Sequence, residues 1–294
     1  IVQRESCFQP GNTLCTGCME SVAFSNIGKV TDNGVKTIYS MGTFCGEVST
    51  LLYPNVVAWG RGQKTPEEFT KSFGIIHNVF ESAPTVAESI RDVADILLHT
   101  GALKKDIQVV SNSGDGGAIA IGLRTLLHTI NRRARVTLVV LVNEFFANTG
   151  FQYSPASSFG ADTSTTPVGA DGLGNSQEPL NYLHLCIAAG ASMVAQVSPA
   201  YPKVFFQVME KALQCKETAI IFVPAPCITG WKFEDGEMMK LAKLGAETGF
   251  FPVFVKEKGQ KGSVKFLSNN PDERTPIEEY MGPQRRFQHL VIQD

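Results

Sequence analysis

No stretch of this chain stays apolar for the roughly 18 residues that a membrane-crossing helix requires. The first 15 residues (IVQRESCFQPGNTLC) also lack the apolar centre of a secretory leader. A cytoplasmic location without a membrane partner is the expectation. Charge of one sign is equally scarce: 26 Lys and Arg stand against 28 Asp and Glu, a net −2, and no basic run or aromatic-interleaved patch occurs. Nucleic acid is therefore not an expected partner. Cysteine is present 7 times. Without a secretion signal these read as metal or redox ligands, not as a disulfide framework, and the odd count agrees. The 294 residues allow a generous core, as one large domain or two smaller ones, and no obvious boundary precedes residue 232.

What is present concentrates between Gly114 and Gly150. Residues 107–111 (IQVVS) are a β-branched run ending in the turn-rich Asn112-Ser113-Gly114-Asp115-Gly116-Gly117, and Ala118 to Asn131 then carries apolar residues at helical spacing. Val136 to Val142 is apolar on both faces, as a parallel strand covered by helices must be. A βαβ unit follows, with Asp115 and Asn143 just past the carboxyl ends of two parallel strands, where open α/β sheets bind ligands. The helix starting near Ala118 aims free N–H groups and its positive end there, so an anion is expected. Asp115 and Asn143, 28 residues apart, offer hard oxygen ligands, and Gly114, Gly116 and Gly117 let the backbone come close. Mg²⁺ shared with phosphate oxygens suits such a site better than Ca²⁺. A tight βα turn with Asn143 as a strand-end cap is the plainer alternative; GDG, helix, apolar strand and NEFFANTG in that order weigh against it.

Cys15-Thr-Gly-Cys18 precedes a helix over Met19 to Val30, whose start lowers thiol pKa values and suits a metal or a redox disulfide. Cys45 follows a strand over Thr37 to Gly42, and Cys227 follows one over Thr218 to Val223. These four would converge at the rim that holds Asp115. Zn²⁺ and a [4Fe–4S] cluster are both open, the isolated third and fourth cysteines suiting the cluster better; Cys45 and Cys227 as small buried residues is the bland alternative. Cys186 and Cys215 read as structural.

Asn55 to Gly60 and Phe73 to Phe80 are further strand candidates, joined by the charged link RGQKTPEE, and a capping pattern at Ser82 with Pro84 opens a helix to about Thr100. Glu81, just before it, is a candidate acid or an ordinary capping carboxylate. Phe146 to Glu178 shows little helix or strand pattern, a length more typical of binding loops, with Asn148 and Thr149 placed to touch a ligand. Helix 180–189, strand 192–197, helix 200–214 and strand 218–223 continue the alternation. The predicted fold is α/β, a mostly parallel doubly wound sheet of about six strands. Residues 1–231 form the main domain; residues 232–294, with a helix over 237–248 and a strand over 251–255, form a C-terminal extension that packs on a partner subunit.

The GDG-to-Asn spacing is similar to that of thiamin diphosphate enzymes, in which the Asp, the Asn and a carbonyl two residues on, here Phe145, hold the metal. In a wider frame the chain resembles the beta subunits of the 2-oxoacid:ferredoxin oxidoreductases. LCTGC, GDGGAIAIG, VNEFFANTGFQYSP, TSTTPVG, APCITGW and PIEEYMGPQRRFQHL all sit in family order. The resemblance implies the thiamin diphosphate-binding fold, a [4Fe–4S] cluster on Cys15, Cys18, Cys45 and Cys227, and Mg²⁺-thiamin diphosphate on Asp115, Asn143 and the Phe145 carbonyl. It also implies Glu20 at the aminopyrimidine and Asn148 near the thiazolium. An alpha subunit would supply the activating glutamate, a ferredoxin-like gamma/delta subunit and ferredoxin would take electrons, and the chain alone would be inactive. Departures occur at Met19, at Val142 and in FESAPT. Oxalate is the expected 2-oxoacid; pyruvate yielding acetyl-CoA is the alternative, and a non-redox thiamin diphosphate decarboxylase the second.

Overall fold

Alternating apolar strands and amphipathic helices build one eight-stranded sheet in the computed structural model, which describes residues 4, 6–8, 11–50, 73–169, 172–261, 265–266 and 274–291. The strands are β1 (Lys36–Met41), β2 (Phe73–His77), β3 (Ile107–Gly114), β4 (Thr137–Val142), β5 (Met193–Gln196), β6 (Ala219–Pro224), β7 (Phe254–Glu257) and β8 (Lys265–Phe266). Their spatial order is β8-β7-β5-β6-β4-β3-β1-β2. From β5 to β2 all neighbours are parallel; β7 runs antiparallel to β5, and β8 antiparallel to β7. The antiparallel pair at one end of the sheet, β7 and the edge strand β8, accounts for the excess over the predicted six. The candidate strand 55–60 and the link 61–68 lie outside the described residues.

The helices are α1 (Met19–Thr31), α2 (Cys45–Val48), α3 (Ala83–His99), α4 (Leu123–Arg132), α5 (Tyr182–Ala188), α6 (Pro202–Leu213), α7 (Met238–Glu247) and α8 (Ile277–Met281). Successive strand residues point to opposite faces, and the core divides accordingly. Val139 and Leu141 of β4 join Ile221 and Val223 of β6 against α1 (Ala23, Phe24, Ile27) and α6 (Phe205, Met209). Leu138, Val140 and Val142 join Ile220 and Phe222 against α3 (Ala87), α4 (Leu126, Ile130) and α5 (Cys186). Each such buried aliphatic side chain contributes about 1.5–3 kcal/mol relative to exposure. The sheet is doubly wound, as its two-faced strands require.

Three local expectations change. The β-branched run predicted to end at Ser111 continues to Gly114, because Asn112 and Ser113 pair with Met41, Val139 and Val140 in the parallel ladder, and the ladder overrides their turn preference. The helix predicted over 118–131 is split: a π-helical turn spans Gly116–Ile121, and α4 begins after Gly122. Gly122 donates to the Gly117 carbonyl at 2.8 Å, and a Cβ at Gly122 would stand 2.3 Å from that oxygen. The strand predicted over 73–80 stops at His77.

The long loop after β4 contains two short hairpins, Phe145–Phe146 with Gln152–Tyr153 and Val168–Gly169 with Gly172–Leu173. Asn175 ties it together, donating to the carbonyls of Ser157 and Ser158 at 3.0 Å and of Gln177 at 2.9 Å. Beyond residue 231 the chain adds β7 to the sheet and buries Tyr280, Arg286 and Phe287.

Candidate cofactor and metal site

Asp115 is the first residue past β3 and is fully buried. One carboxylate oxygen accepts the Asn143 backbone N–H at 3.4 Å, and the other accepts the Ser154 hydroxyl. Burial pushes its carboxyl up to about 7, with the Glu144 charge adding to the rise and Ser154 opposing it. A carboxylate held without water in this way gains from a nearby cation. Asn143, just past β4, accepts the Phe145 N–H on its side-chain oxygen at 3.1 Å and donates from Nδ2 to Glu20 at 3.2 Å. An amide oxygen has two lone pairs, so one acceptor position of Asn143 is left for a ligand. Its backbone carbonyl accepts from Trp231 Nε1 at 2.8 Å.

Around this pair the glycines leave little room for a side chain. A Cβ at Gly116 would stand 2.5 Å from the Phe146 ring, one at Gly117 2.9 Å from the Phe80 carbonyl, and one at Gly114 3.0 Å from Phe44. Gly114, Gly116, Gly117, Asn143, Phe145, Asn148 and Thr149 rim a narrow cleft of about 20 Å³. The wide π-helical turn begins at its edge, an irregularity frequent at functional sites.

A larger cavity of about 230 Å³ adjoins it, sharing Cys45, Asn143, Ala147 and Asn148. Cys15, Cys18, Cys227 and Glu20 complete the part that matters here. The sequence-distant cysteines are thus brought to one wall, Cys15 exposed and Cys18 and Cys227 buried. Burial, then the Glu20 charge, pushes the Cys18 and Cys45 thiols far up; burial raises Cys227. The four cysteines line this one cavity, and among the described residues no group of three or more His, Cys, Asp or Glu is assembled for a single metal ion. A tetrahedral zinc site needs thiolates about 3.8 Å apart. Four cysteine thiolates around one cavity are the donor set that a four-iron cluster takes.

Glu20, on the first turn of α1, is 1 % exposed. One of its oxygens accepts from Asn143 and the other has no hydrogen-bond partner. Burial pushes its carboxyl up to about 7. A buried oxygen without a partner at a cavity wall is suited to a ligand that donates or shares a proton. Asn148 and Thr149 are exposed, Asn148 bordering both cavities and Thr149 the narrow cleft alone, and Thr149 Oγ1 donates to Gln152 at 2.6 Å. Glu81 is not brought into this group; its backbone carbonyl accepts Thr125 Oγ1 at 2.5 Å.

Sequence reasoning missed three supports: Ser154 on Asp115, Trp231 on Asn143, and the buried Glu144–Arg286 pair. Ser154, Trp231 and Arg286 lie in FQYSP, APCITGW and QRRF, so their places in ordered motifs were the available signal.

The profile of the thiamine pyrophosphate enzyme C-terminal TPP binding domain matches residues 93–223, which include Asp115 and Asn143. Over 290 residues the chain is 32 % identical to the pyruvate synthase subunit PorB of Methanothermobacter thermautotrophicus, covering 99 % of this chain and 92 % of that protein. PorB of Thermotoga maritima is 30 % identical, with 96 % and 82 % covered. The ketoisovalerate oxidoreductase subunit VorB of Pyrococcus furiosus is 28 % identical, with 99 % and 88 % covered. Among solved structures, the 2-oxoglutarate:ferredoxin oxidoreductase from Magnetococcus marinus, with 2-oxoglutarate, coenzyme A and succinyl-CoA bound, shares the fold at a TM-score of 0.59 and 19 % identity, covering 99 % of this chain and 96 % of that one. The matched profile and the relatives define the class, a subunit of a thiamin diphosphate-dependent enzyme. The chain belongs to the beta subunits of the 2-oxoacid:ferredoxin oxidoreductases, the family that includes the PorB and VorB proteins.

Proposed function

We propose that this subunit carries Mg²⁺-thiamin diphosphate and a [4Fe–4S] cluster side by side and takes part in oxidative decarboxylation of pyruvate, working with an alpha subunit, a ferredoxin-like subunit and ferredoxin. The observation that carries this reading is the shared wall: Cys45, Asn143, Ala147 and Asn148 border both the glycine-rimmed cleft and the cysteine-lined cavity. When bound, thiamin diphosphate supplies the electron sink for decarboxylation and the cluster a one-electron path outward.

The chain's own residues divide the work. Asp115, the Asn143 amide oxygen and the Phe145 carbonyl would hold Mg²⁺, a cation that takes few protein oxygens and shares the rest with phosphate. Gly114, Gly116 and Gly117 admit the diphosphate to backbone N–H groups. Glu20, with one oxygen lacking a hydrogen-bond partner and a carboxyl near neutrality, would hold a proton against the aminopyrimidine. Asn148 would orient the reacting ring from above. Cys15, Cys18, Cys45 and Cys227 would hold the cluster, with Cys15 on its solvent side.

Pyruvate is favoured over oxalate by two considerations. Relatives at 30–32 % identity are named as pyruvate synthase subunits. Of the departures, Met19 and Val142 line neither cavity, Met19 being buried against the α1–α6 side of the sheet and Val142 against the α3–α4 side, while FESAPT borders the glycine-rimmed cleft through Phe80. The cytoplasm is the compartment that fits reduced cysteines. The test is anaerobic purification of the native complex with iron, zinc and thiamin diphosphate analysis, followed by pyruvate- and oxalate-dependent ferredoxin reduction. About four irons from this subunit with one thiamin diphosphate and pyruvate activity support the reading; zinc without iron removes the electron-transfer role, and oxalate activity alone reverses the substrate.

A further inference from the structure

Asn143, Glu144 and Phe145 form the strap between β4 and the binding loop, and all three are gripped from the C-terminal side. Glu144 has φ 67°, a left-handed conformation that L residues with a full side chain adopt at a cost of about 1–2 kcal/mol. It is 1 % exposed. Its carboxylate is ion-paired with Arg286 and accepts the Ser158 hydroxyl, and its carbonyl accepts the Ser157 hydroxyl. Such a conformation persists only where its surroundings over-determine it.

Arg286 supplies much of that determination. It is 1 % exposed, and its Nε donates to Gln284 Oε1 at 2.8 Å, while Gln284 donates to the Tyr280 carbonyl at 2.6 Å. Its guanidinium lies 3.9 Å from the Trp231 ring centre, 4.5 Å from that of Phe287 and 5.8 Å from that of Phe145. Trp231 in turn donates to the Asn143 carbonyl. Three successive residues are thus fixed by one assembly: Asn143 through Trp231, Glu144 through the ion pair, Phe145 through the guanidinium face. A planar, permanently charged fork suits this place and an ammonium does not.

We propose that Arg286 is a positioning residue for the metal–diphosphate site, holding Glu144 in its left-handed turn so that Asn143 and Phe145 present their oxygens to the cation. The C-terminal segment is on this view a clamp on cofactor binding. The inference rests on the assignment of Asp115, Asn143 and Phe145 as Mg²⁺ ligands.

The test uses the native complex stripped of thiamin diphosphate and compares wild type with the double variant Glu144→Gln/Arg286→Met and with Arg286→Lys. Removing both charges of a buried pair together is often near neutral for stability, so the double variant is expected to keep its iron content and subunit composition. Titration calorimetry with Mg²⁺ and thiamin diphosphate should show affinity weakened roughly 10–100-fold, as for other partners that orient metal ligands, with Arg286→Lys in between. Wild-type affinity in the double variant overturns the inference, and so does loss of iron and cofactor together in both variants, which would assign the pair to the stability of the whole subunit. Failure of the wild-type complex to bind Mg²⁺-thiamin diphosphate would instead overturn the site assignment beneath it.

Discussion

The indole N–H of Trp231 donates to the backbone carbonyl of Asn143 at 2.8 Å, joining the turn after β6 to the end of β4 directly behind the proposed metal site. Trp231 is fully buried, so Trp231→Phe keeps most of the packing and removes only the donor. A buried carbonyl left without a partner costs about 1–3 kcal/mol. At roughly 2–4 °C per kcal/mol for a chain of this size, melting should fall by several degrees in thermal denaturation. Thiamin diphosphate affinity should fall with it; an unchanged melting temperature would mean that water replaces the indole.

Asp115 and Glu20 make the metal-free protein sensitive to pH. Burial raises the Asp115 carboxyl from 3.8 to about 7 and the Glu20 carboxyl from 4.5 to about 7. The sign follows from the native state binding protons more tightly than the unfolded one: the contribution is fully present below the unfolded values and is lost as pH rises through about 7. Denaturant midpoints of metal-free protein should therefore decline between about pH 4.5 and 7. In Asp115→Asn this decline should flatten, and the variant should be a few kcal/mol more stable at neutral pH, yet unable to bind Mg²⁺-thiamin diphosphate. A variant that binds the cofactor normally would remove Asp115 from the metal site.

Legibility in the sequence tracked the range of the interactions. β4 and β6 were readable because strands buried on both faces have no polar alternation, and the ends of α6 and α7 were placed within two residues by their spacing. Asn112 and Ser113 misled because a turn preference is local, whereas their pairing with Met41 and Val140 comes from strands far along the chain. The same limit applies to the site. Asp115 and Asn143 stand at strand ends, a position that periodicity predicts. The strap geometry at Glu144, the Arg286 ion pair and the Ser154 hydrogen bond depend on three-dimensional closure and have no periodic signature.

Arg91 of α3 is 1 % exposed and anchors the start of β3, donating to the Ile107 carbonyl at 2.9 Å and pairing with Asp106 at 3.0 Å and Asp95 at 2.5 Å. Arg91→Met should destabilise the fold by about 2–3 kcal/mol, since it orphans a carbonyl and leaves Arg135 as the one cation paired with Asp106 among the described residues, without changing cofactor stoichiometry. Asp106 itself, held down to about 2 chiefly by Arg135, is 45 % exposed and screened by water, so its share is below about 1 kcal/mol. That share is present above about 3.8 and lost as pH falls through about 2, so Asp106→Asn should lower stability by that amount above about pH 3.8 and converge with the wild type below about pH 2.

Cysteine replacements separate cluster from core. Cys45 and Cys227 line the cavity with Cys15 and Cys18, whereas Cys186 is fully buried on α5 among Tyr182, Leu126 and their neighbours. Cys45→Ser and Cys227→Ser should abolish the broad absorption near roughly 400 nm expected of a [4Fe–4S] centre, lower iron accordingly, and leave thiamin diphosphate bound, because Asp115 and Asn143 are untouched. Cys186→Ser places a hydroxyl in an apolar pocket and should lower stability by about 1–3 kcal/mol with iron and absorption unchanged. A Cys45→Ser complex that retained full iron and ferredoxin reduction would show that the centre is held elsewhere, and the shared wall between the two cavities would then have no part in electron transfer.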